Sequence, residues 1–433
     1  MRRVLPVPLA FFLLLVASPA RADWPDYRGP TGDGHAAPAK DGKPHGLPLR
    51  WSETENVKWK TAIPHRGWST PVVLDGQVWL TTATTQGNDF FAICVDAATG
   101  KVLFNKRLFH SDSPEPLSNQ VNCYASPSPV IEPGRAYVSF GSYGTACLDT
   151  ATFKTLWTRT DLQCRHYRGP GSSPILFGNL LVLSFDGVDV QYTVALDKTT
   201  GRTVWNTPRS TEWKDLDAKG QPFREGDFRK AFGTPLVIRT DRGPQMISLG
   251  SKATFAYDPR TGKEIWNTHH AAHTSVVRAV FGEGLAYTTT GHGRTELWAI
   301  RVDGQGDVTD THVAWRMRKD VPTTPSPLLV DGLLYVVSNQ GALTCLDAAT
   351  GKTVWRERLG GSYIASPIYA DGRLYFFSTQ GKATVLRPGR TFDVLATSRL
   401  ADGFMASPAT SGRALFLRTK THLYRIEAPA AGK

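Results

Sequence analysis

Cysteine is scarce in this sequence: five residues in 433, no two of them adjacent. That excludes a dense disulfide framework and any redox centre built on neighbouring cysteines. Long apolar runs are missing too. The one greasy segment, centred on 11–17, is short and is preceded by Pro6 and Pro8, so it does not make a stable membrane-spanning helix. Helical periodicity is absent apart from a polar insertion near Thr211 to Asp227. There is no Gly-x-Ser-x-Gly elbow and no nucleophile with a paired base. The Gly291-His292-Gly293 pair reads as turn glycines, because no strand–glycine–helix context surrounds it. No block of lysine or arginine appears, which argues against nucleic acid as a partner.

Acidic residues are the scarcer charge, 38 against 50 basic, for a formal net charge of +12. Arg2, Arg3 and Arg21 lie in what reads as a leader: a basic start, a short apolar core and an Ala-x-Ala ending at Ala22. Cleavage is expected before Asp23, giving a periplasmic or secreted protein. No cysteine follows the apolar core to carry a lipid anchor. A basic exported protein meets anionic partners such as glycan, phospholipid surface or acidic protein.

What the sequence has in abundance is repetition. Ala195-Leu196-Asp197-Lys198-Thr199-Thr200-Gly201-Arg202-Thr203-Val204-Trp205 recurs as Ala256 to Trp266, Cys345 to Trp355, Cys94 to Phe104 and, more weakly, Cys147 to Trp157. A second phrase precedes each copy: Ser/Thr-Pro, a short apolar run, a glycine turn and an aromatic or β-branched run, as in Ser326-Pro327 to Val337 and Ser366-Pro367 to Phe377. Asp-Gly between apolar runs marks a tight hairpin. Each unit of some dozens of residues therefore encodes four antiparallel strands, the blade of a β-propeller. Blades start at Pro71, Pro129, Pro174, Pro235, Pro327, Pro367 and Pro408, with a degenerate start near Ser275-Val276-Val277. The last blade has only three strands of its own. Glu55 to Lys60 resembles Lys352 to Arg356 and is expected to supply the fourth, closing the ring and hiding the sheet edges. The expected organisation is an all-β, eight-bladed propeller over 51–428, behind a leader (1–22) and an N-terminal extension (23–50), with a disordered tail (429–433).

These repeats resemble those of the pyrroloquinoline quinone-type propeller superfamily. The resemblance rests on Ala195, Asp197, Gly201 and Trp205, on Ala256, Asp258, Gly262 and Trp266, and on Cys345, Asp347, Gly351 and Trp355. It implies that each tryptophan docks on the neighbouring blade and its glycine. Two kinds of relative share such repeats. The quinoprotein dehydrogenases hold the quinone between a tryptophan and a disulfide of adjacent cysteines, a pair lacking here. The outer membrane protein assembly factor BamB is a lipoprotein scaffold with no catalytic role. The opening Trp24-Pro25-Asp26-Tyr27-Arg28-Gly29-Pro30-Thr31-Gly32-Asp33-Gly34 is similar to the start of a large group of exported propellers with such repeats.

In such a blade the Asp-Gly and Thr-Gly-Lys turns share one face. The longer loops gather on the other, where binding residues collect. Candidate ligand or partner residues there are His65, Arg66, Trp68, Asn122, Tyr124, His166, Tyr167, Arg168, Arg229, His273, His292 and Arg294. Together they would form a positive, aromatic-lined basin suited to carboxylate, sulfate or sugar. Pairing with acids such as Asp186, Asp189 or Glu296 is the competing role for each of them. His269, His270 and His273 lie where no helix is expected, so no metal site is read there. Asp186 and Asp189 offer too few oxygens for calcium. Cys94, Cys147 and Cys345 fill the small-residue slot and read as buried packing; Cys123 and Cys164 are left open between a disulfide and free thiols. The reading is an exported binding or scaffolding propeller without catalytic residues or cofactor, docking a protein, an anionic glycan or a small ligand. The alternatives are a quinoprotein-like oxidoreductase binding pyrroloquinoline quinone and a lyase or hydrolase of anionic polysaccharide.

Overall fold

The computed structural model describes residues 23–38, 42–117 and 121–429. The expected leader, and the expected tail beyond residue 429, lie outside the described residues. Eight antiparallel sheets form the ring. Blade 1 comprises Val72–Leu74, Gln77–Ala83, Asp89–Asp96 and Val102–His110 from the channel outwards. Blade 8 comprises Ala409–Ser411, Ala414–Arg418 and His422–Ile426, and Val57–Ala62 pairs with His422–Ile426 to complete it. The expected strand exchange therefore closes the ring.

Local chemistry explains each blade. Proline stands one residue before the inner strand, where its missing N–H costs no ladder bond. The first hairpin turns at Asp75-Gly76, Asp331-Gly332 and Asp371-Gly372, with both residues of each pair at positive φ, the conformation of a type I′ turn. In the third strand the small residue lies directly across from the large aromatic: Ala195 opposite Trp205, Cys345 opposite Trp355, Cys147 opposite Trp157. A bulge follows at once in each case. Cys94, Cys147 and Cys345 are buried in this slot.

Blades lock through the aromatic. The Trp157 indole donates to Lys198 O at 3.1 Å, Trp205 to Pro259 O at 3.2 Å and Trp315 to Ala348 O at 2.9 Å. Each ring lies where a Cβ on the next turn's glycine would sit: one added at Gly201 would be 2.8 Å from the Trp157 ring, and one added at Gly262 2.5 Å from the Trp205 ring. Between blades 1 and 2 the lock is rebuilt. Phe104 replaces the tryptophan and Phe153 the glycine, at φ 57°, and the rings stack at 5.2 Å.

Two features depart from the expectation. Blade 5 begins three residues later than Ser275-Val276: its inner strand is Val280–Gly282, which puts Arg278 in the serine slot and Ala279 in the proline slot. Blade 4 gains a fifth strand, because Gly306–Asp307 from blade 5 pairs parallel to Glu264–His269. Trp266 is fully buried beneath it, donating to Gln245 instead of to a turn.

Candidate functional site

The serines of the Ser-Pro phrase form a collar round the channel. Thr70 N–H donates to Ser128 Oγ (2.8 Å), Ser128 N–H to Ser173 Oγ (2.9 Å) and Ser173 N–H to Thr234 Oγ1 (2.9 Å). Across the ring, Arg278 N–H donates to Ser326 Oγ, Ser326 N–H to Ser366 Oγ and Ser366 N–H to Ser407 Oγ. Six of the eight blades thus use a neighbour's hydroxyl to satisfy a backbone donor that the ladder does not reach.

Below the collar, on the side of the Asp-Gly turns, the N-terminal segment fills the channel. Asp23 accepts from Ser411 Oγ, and Trp24 exchanges two backbone bonds with Val73. Pro25 O accepts from Ile131 N–H, and Ala36 N–H donates to Tyr369 O. Asp26 pairs with Arg278 at 3.3 Å, which accounts for an arginine in blade 5's serine slot. Arg28, almost wholly buried, donates to the carbonyls of Pro327, Pro367 and Asp33. The chain curls round both guanidiniums. A Cβ at Gly32 would lie 2.7 Å from Arg278 and one at Gly34 2.5 Å from Arg28, both glycines at positive φ.

Above the collar, on the loop-rich face, lies a cavity of about 310 Å³. Tyr27 is at its floor, the collar hydroxyls of Thr70, Ser128, Ser173, Thr234 and Ser407 ring it, and Trp68, Val121, Phe232, Val276, Ile364 and Met405 give it apolar walls. Arg168 reaches it in a two-point pair with Asp227, both bonds 2.6 Å. Asp227 belongs to the polar insertion, whose 3-10 turn Phe223–Arg229 has three successive residues at positive φ, Arg224 to Gly226. His273 stacks on Phe228 of the same turn at 3.9 Å and exchanges backbone bonds with His292. Partial burial, with His292 and Arg168 nearby, holds the His273 imidazole below its usual value.

Of the residues singled out from sequence, Trp68, Asn122, Arg168, His273 and His292 line this cavity. The others do not. His65 stacks on Phe91, and Arg66 lies over the Trp68 ring. Tyr124 is buried against Phe90 and donates to Glu115 O. His166 is buried and accepts from Ser142 N–H, well below its usual pKa through burial. Tyr167 carries Arg168 over its ring. Arg229 is clamped by Asp215 at 2.6 Å, and Arg294 lies exposed beside Gly293 in the blade 5 loop. The basin is therefore less positive than its arginines suggest, because Asp227 and Asp215 answer Arg168 and Arg229. Asp186 is likewise committed, to buried Arg209. Tyr27 and Asp227 were not anticipated as site residues. The insertion's acidic positions opposite so many loop arginines were the one available hint.

Cys123 and Cys164 are both free. Burial pushes the Cys164 thiol up to about 12, so it is no thiolate at neutral pH. Among the described residues no group of three His, Cys, Asp or Glu side chains is placed to hold a metal, and no helix is long and apolar enough to cross a membrane.

No curated protein matches the sequence. Solved structures do match the fold. Quinohemoprotein alcohol dehydrogenase from Comamonas testosteroni is 13% identical over 96% of this chain and 82% of its own, with a TM-score of 0.66. BamB from Moraxella catarrhalis is 10% identical over 85% of this chain and 99% of its own, with a TM-score of 0.56. A europium-containing methanol dehydrogenase is 12% identical over 94% of this chain and 91% of its own, with a TM-score of 0.62. At such identities these neighbours speak for the fold alone. The family model described as outer membrane protein assembly factor BamB matches residues 51–232 and 251–394, well over half of the sequence, and the chain belongs to that family.

Proposed function

We propose that the protein is an exported binding propeller without catalytic activity, which receives its ligand or partner at the cavity on the loop-rich face. The observation that carries this reading is a dead-end cavity, floored by Tyr27 and the N-terminal segment and ringed by hydroxyls. Dead-end, mostly apolar cavities with a few convergent polar groups are the usual form of ligand sites.

Its chemistry suits holding better than turning over. Among the described residues, the one hydroxyl–imidazole contact at the cavity joins neighbours, Thr274 Oγ1 and His273 Nδ1, at 2.8 Å. The same bond between adjacent residues recurs on exposed surface at Thr311–His312 and Thr421–His422, both 2.7 Å. It is a local contact of a Thr-His or His-Thr dipeptide and does not mark an activated nucleophile. A bound quinone does not fit the residues present. The cysteines are separate, buried and free, and the one arginine lining the cavity is already taken by Asp227. Localisation outside the cytoplasm rests on the leader and on the family's description.

Photo-crosslinking tests the reading. Val121, at the cavity, and Val204, on the outer rim, are both more than half exposed. A photoreactive residue at 121 should capture the ligand or partner in the native compartment, and one at 204 should not. Capture from 204 alone would move the site to the rim. Dye reduction after loading with pyrroloquinoline quinone and calcium, or new ultraviolet-absorbing ends from a polyuronate, would make the protein an enzyme.

A further inference from the structure

Behind the cavity walls lies an excess of positive charge. Arg418 is almost fully buried beneath the Trp68–Thr70 wall and donates to Ser69 O at 3.2 Å, Thr81 O at 3.1 Å and Ser69 Oγ at 2.6 Å. Lys230 is buried behind Phe232, its Nζ 4.4 Å from the ring centre. Arg28 lies under Tyr27. Among the described residues, none of the three has a carboxylate within ion-pair distance. Carbonyls, the Ser69 hydroxyl and the His166 ring meet their polar hydrogens. Asp33 acts on Arg28 and Asp186, Glu115 and Asp189 on Lys230 only from beyond ion-pair distance, and no carboxylate among the described residues acts on Arg418. A buried cation without a counter-charge is costly, and an anion brought near it is correspondingly favoured. Burial lowers Arg28 and Arg418 only to about 10, so both are charged at neutral pH, while the same burial pulls the Lys230 ammonium down from its usual value and leaves the two guanidiniums as the fixed charges.

The layer facing the cavity is short of acceptors as well. The oxygens of Ser128, Ser173, Thr234 and Ser407 each accept a collar bond, and none of their hydroxyl protons has an acceptor among the described residues. Four O–H donors thus converge above Tyr27 with nothing to receive them. The upper wall is apolar, from Trp68 and Val121 to Ile364 and Met405.

We infer that the cavity binds a small organic carboxylate with an apolar body, its charged end down among the collar hydroxyls and its body against the upper wall. This rests on the cavity's being the binding site. The Arg168–Asp227 pair stands at the side, its charges mutually satisfied, and leaves the unbalanced charge to the deeper layer.

Calorimetry and thermal shift with benzoate, 2-naphthoate and octanoate, their amides and inorganic sulfate test this on the mature protein. At least one acid should bind, tenfold or more tightly than its amide and than sulfate. Ser173→Ala should weaken that acid severalfold. Met405→Trp, which fills the cavity from its loop side and leaves the collar intact, should abolish it. If no acid binds, if the amide binds as well as its acid, or if Met405→Trp leaves binding unchanged, the inference fails. Crosslinking from position 121 that persists while every acid fails would keep the cavity as the site and discard only the ligand class.

Discussion

The lock between blades 1 and 2 offers the sharpest test of how this sequence writes its fold. Four other turns place glycine where Phe153 stands, and Phe153 N–H donates to Asp149 O just as Gly201 N–H donates to Asp197 O. Phe153 therefore bears the strain of a left-handed backbone, about 1 kcal/mol for a residue with a Cβ. In return its half-buried ring stacks on Phe104 and packs on Trp79 at 5.9 Å. Phe153→Gly would relieve the strain. It would lose roughly 1.5 kcal/mol of burial, about 1 kcal/mol of ring contact and roughly 0.5 kcal/mol to glycine's freedom in the unfolded chain. The net loss is about 2 kcal/mol. With unfolding entropy near 2.1 cal/mol/K per residue over roughly 400 residues, that lowers Tm by about 2.5 °C. Phe104→Trp alone should also cost about 1–3 kcal/mol, because the larger ring meets Phe153. The double variant recreates the Trp157–Gly201 lock and should return to within about 1 kcal/mol of the parent. Scanning calorimetry of the four proteins reads the cycle. Additive losses, or a stabilised Phe153→Gly, would refute the docking argument.

Two further outcomes follow from the same physics. Gly262→Ala should destabilise by about 2–3 kcal/mol, against about 1 kcal/mol for Gly134→Ala: both are left-handed, but only Gly262 has a tryptophan where the Cβ would go. Equal losses in urea denaturation would mean the docked ring yields freely. Burial pulls His270 from 6.5 down to about 4. Between those values the unfolded chain binds the extra proton, so stability falls as pH drops through that window and levels off below it. The loss is about 3 kcal/mol. His270→Gln should lack this part of the acid sensitivity, which denaturation at pH 7 and pH 4 would show.

The ring was legible because its instructions are local. Asp331-Gly332 writes a hairpin in two residues, and Asp197, Gly201 and Trp205 write a docking turn in nine. Repetition lets weak copies be recognised by strong ones, which is how Cys147 to Trp157 could be placed. Blade 5 was misplaced by three residues because its motif is overwritten. Arg278 stands where serine belongs, and only its partner Asp26, 252 residues away, explains it. The candidate residues fared similarly. The bias of the loops toward histidine, arginine and aromatics pointed to the face on which the cavity opens. It could not show that Arg168 meets Asp227 or that Tyr124 and His166 turn inward, because those contacts cross between separate loops.

The N-terminal segment is the least legible part and the one that supplies the cavity's floor. It has no period, and its partners at Pro327 and Pro367 lie about 300 residues or more along the chain. An eight-bladed ring lined by short Ser-Pro strands leaves an axial channel that those strands do not fill. Left open at both ends, it would surround a small molecule only from the sides. With Tyr27 across it, the same channel becomes a cavity closed at its lower end, the concave form that ligand sites usually take. Of the two arginines that hold the segment in place, Arg278 is answered by Asp26, whereas Arg28 has only carbonyls within hydrogen-bond reach and leaves its charge beneath the floor. If the cavity binds as proposed, closing the channel and biasing what can enter it are one structural act. A variant that loosened residues 23–35 would lose the site's selectivity along with the ring's plug.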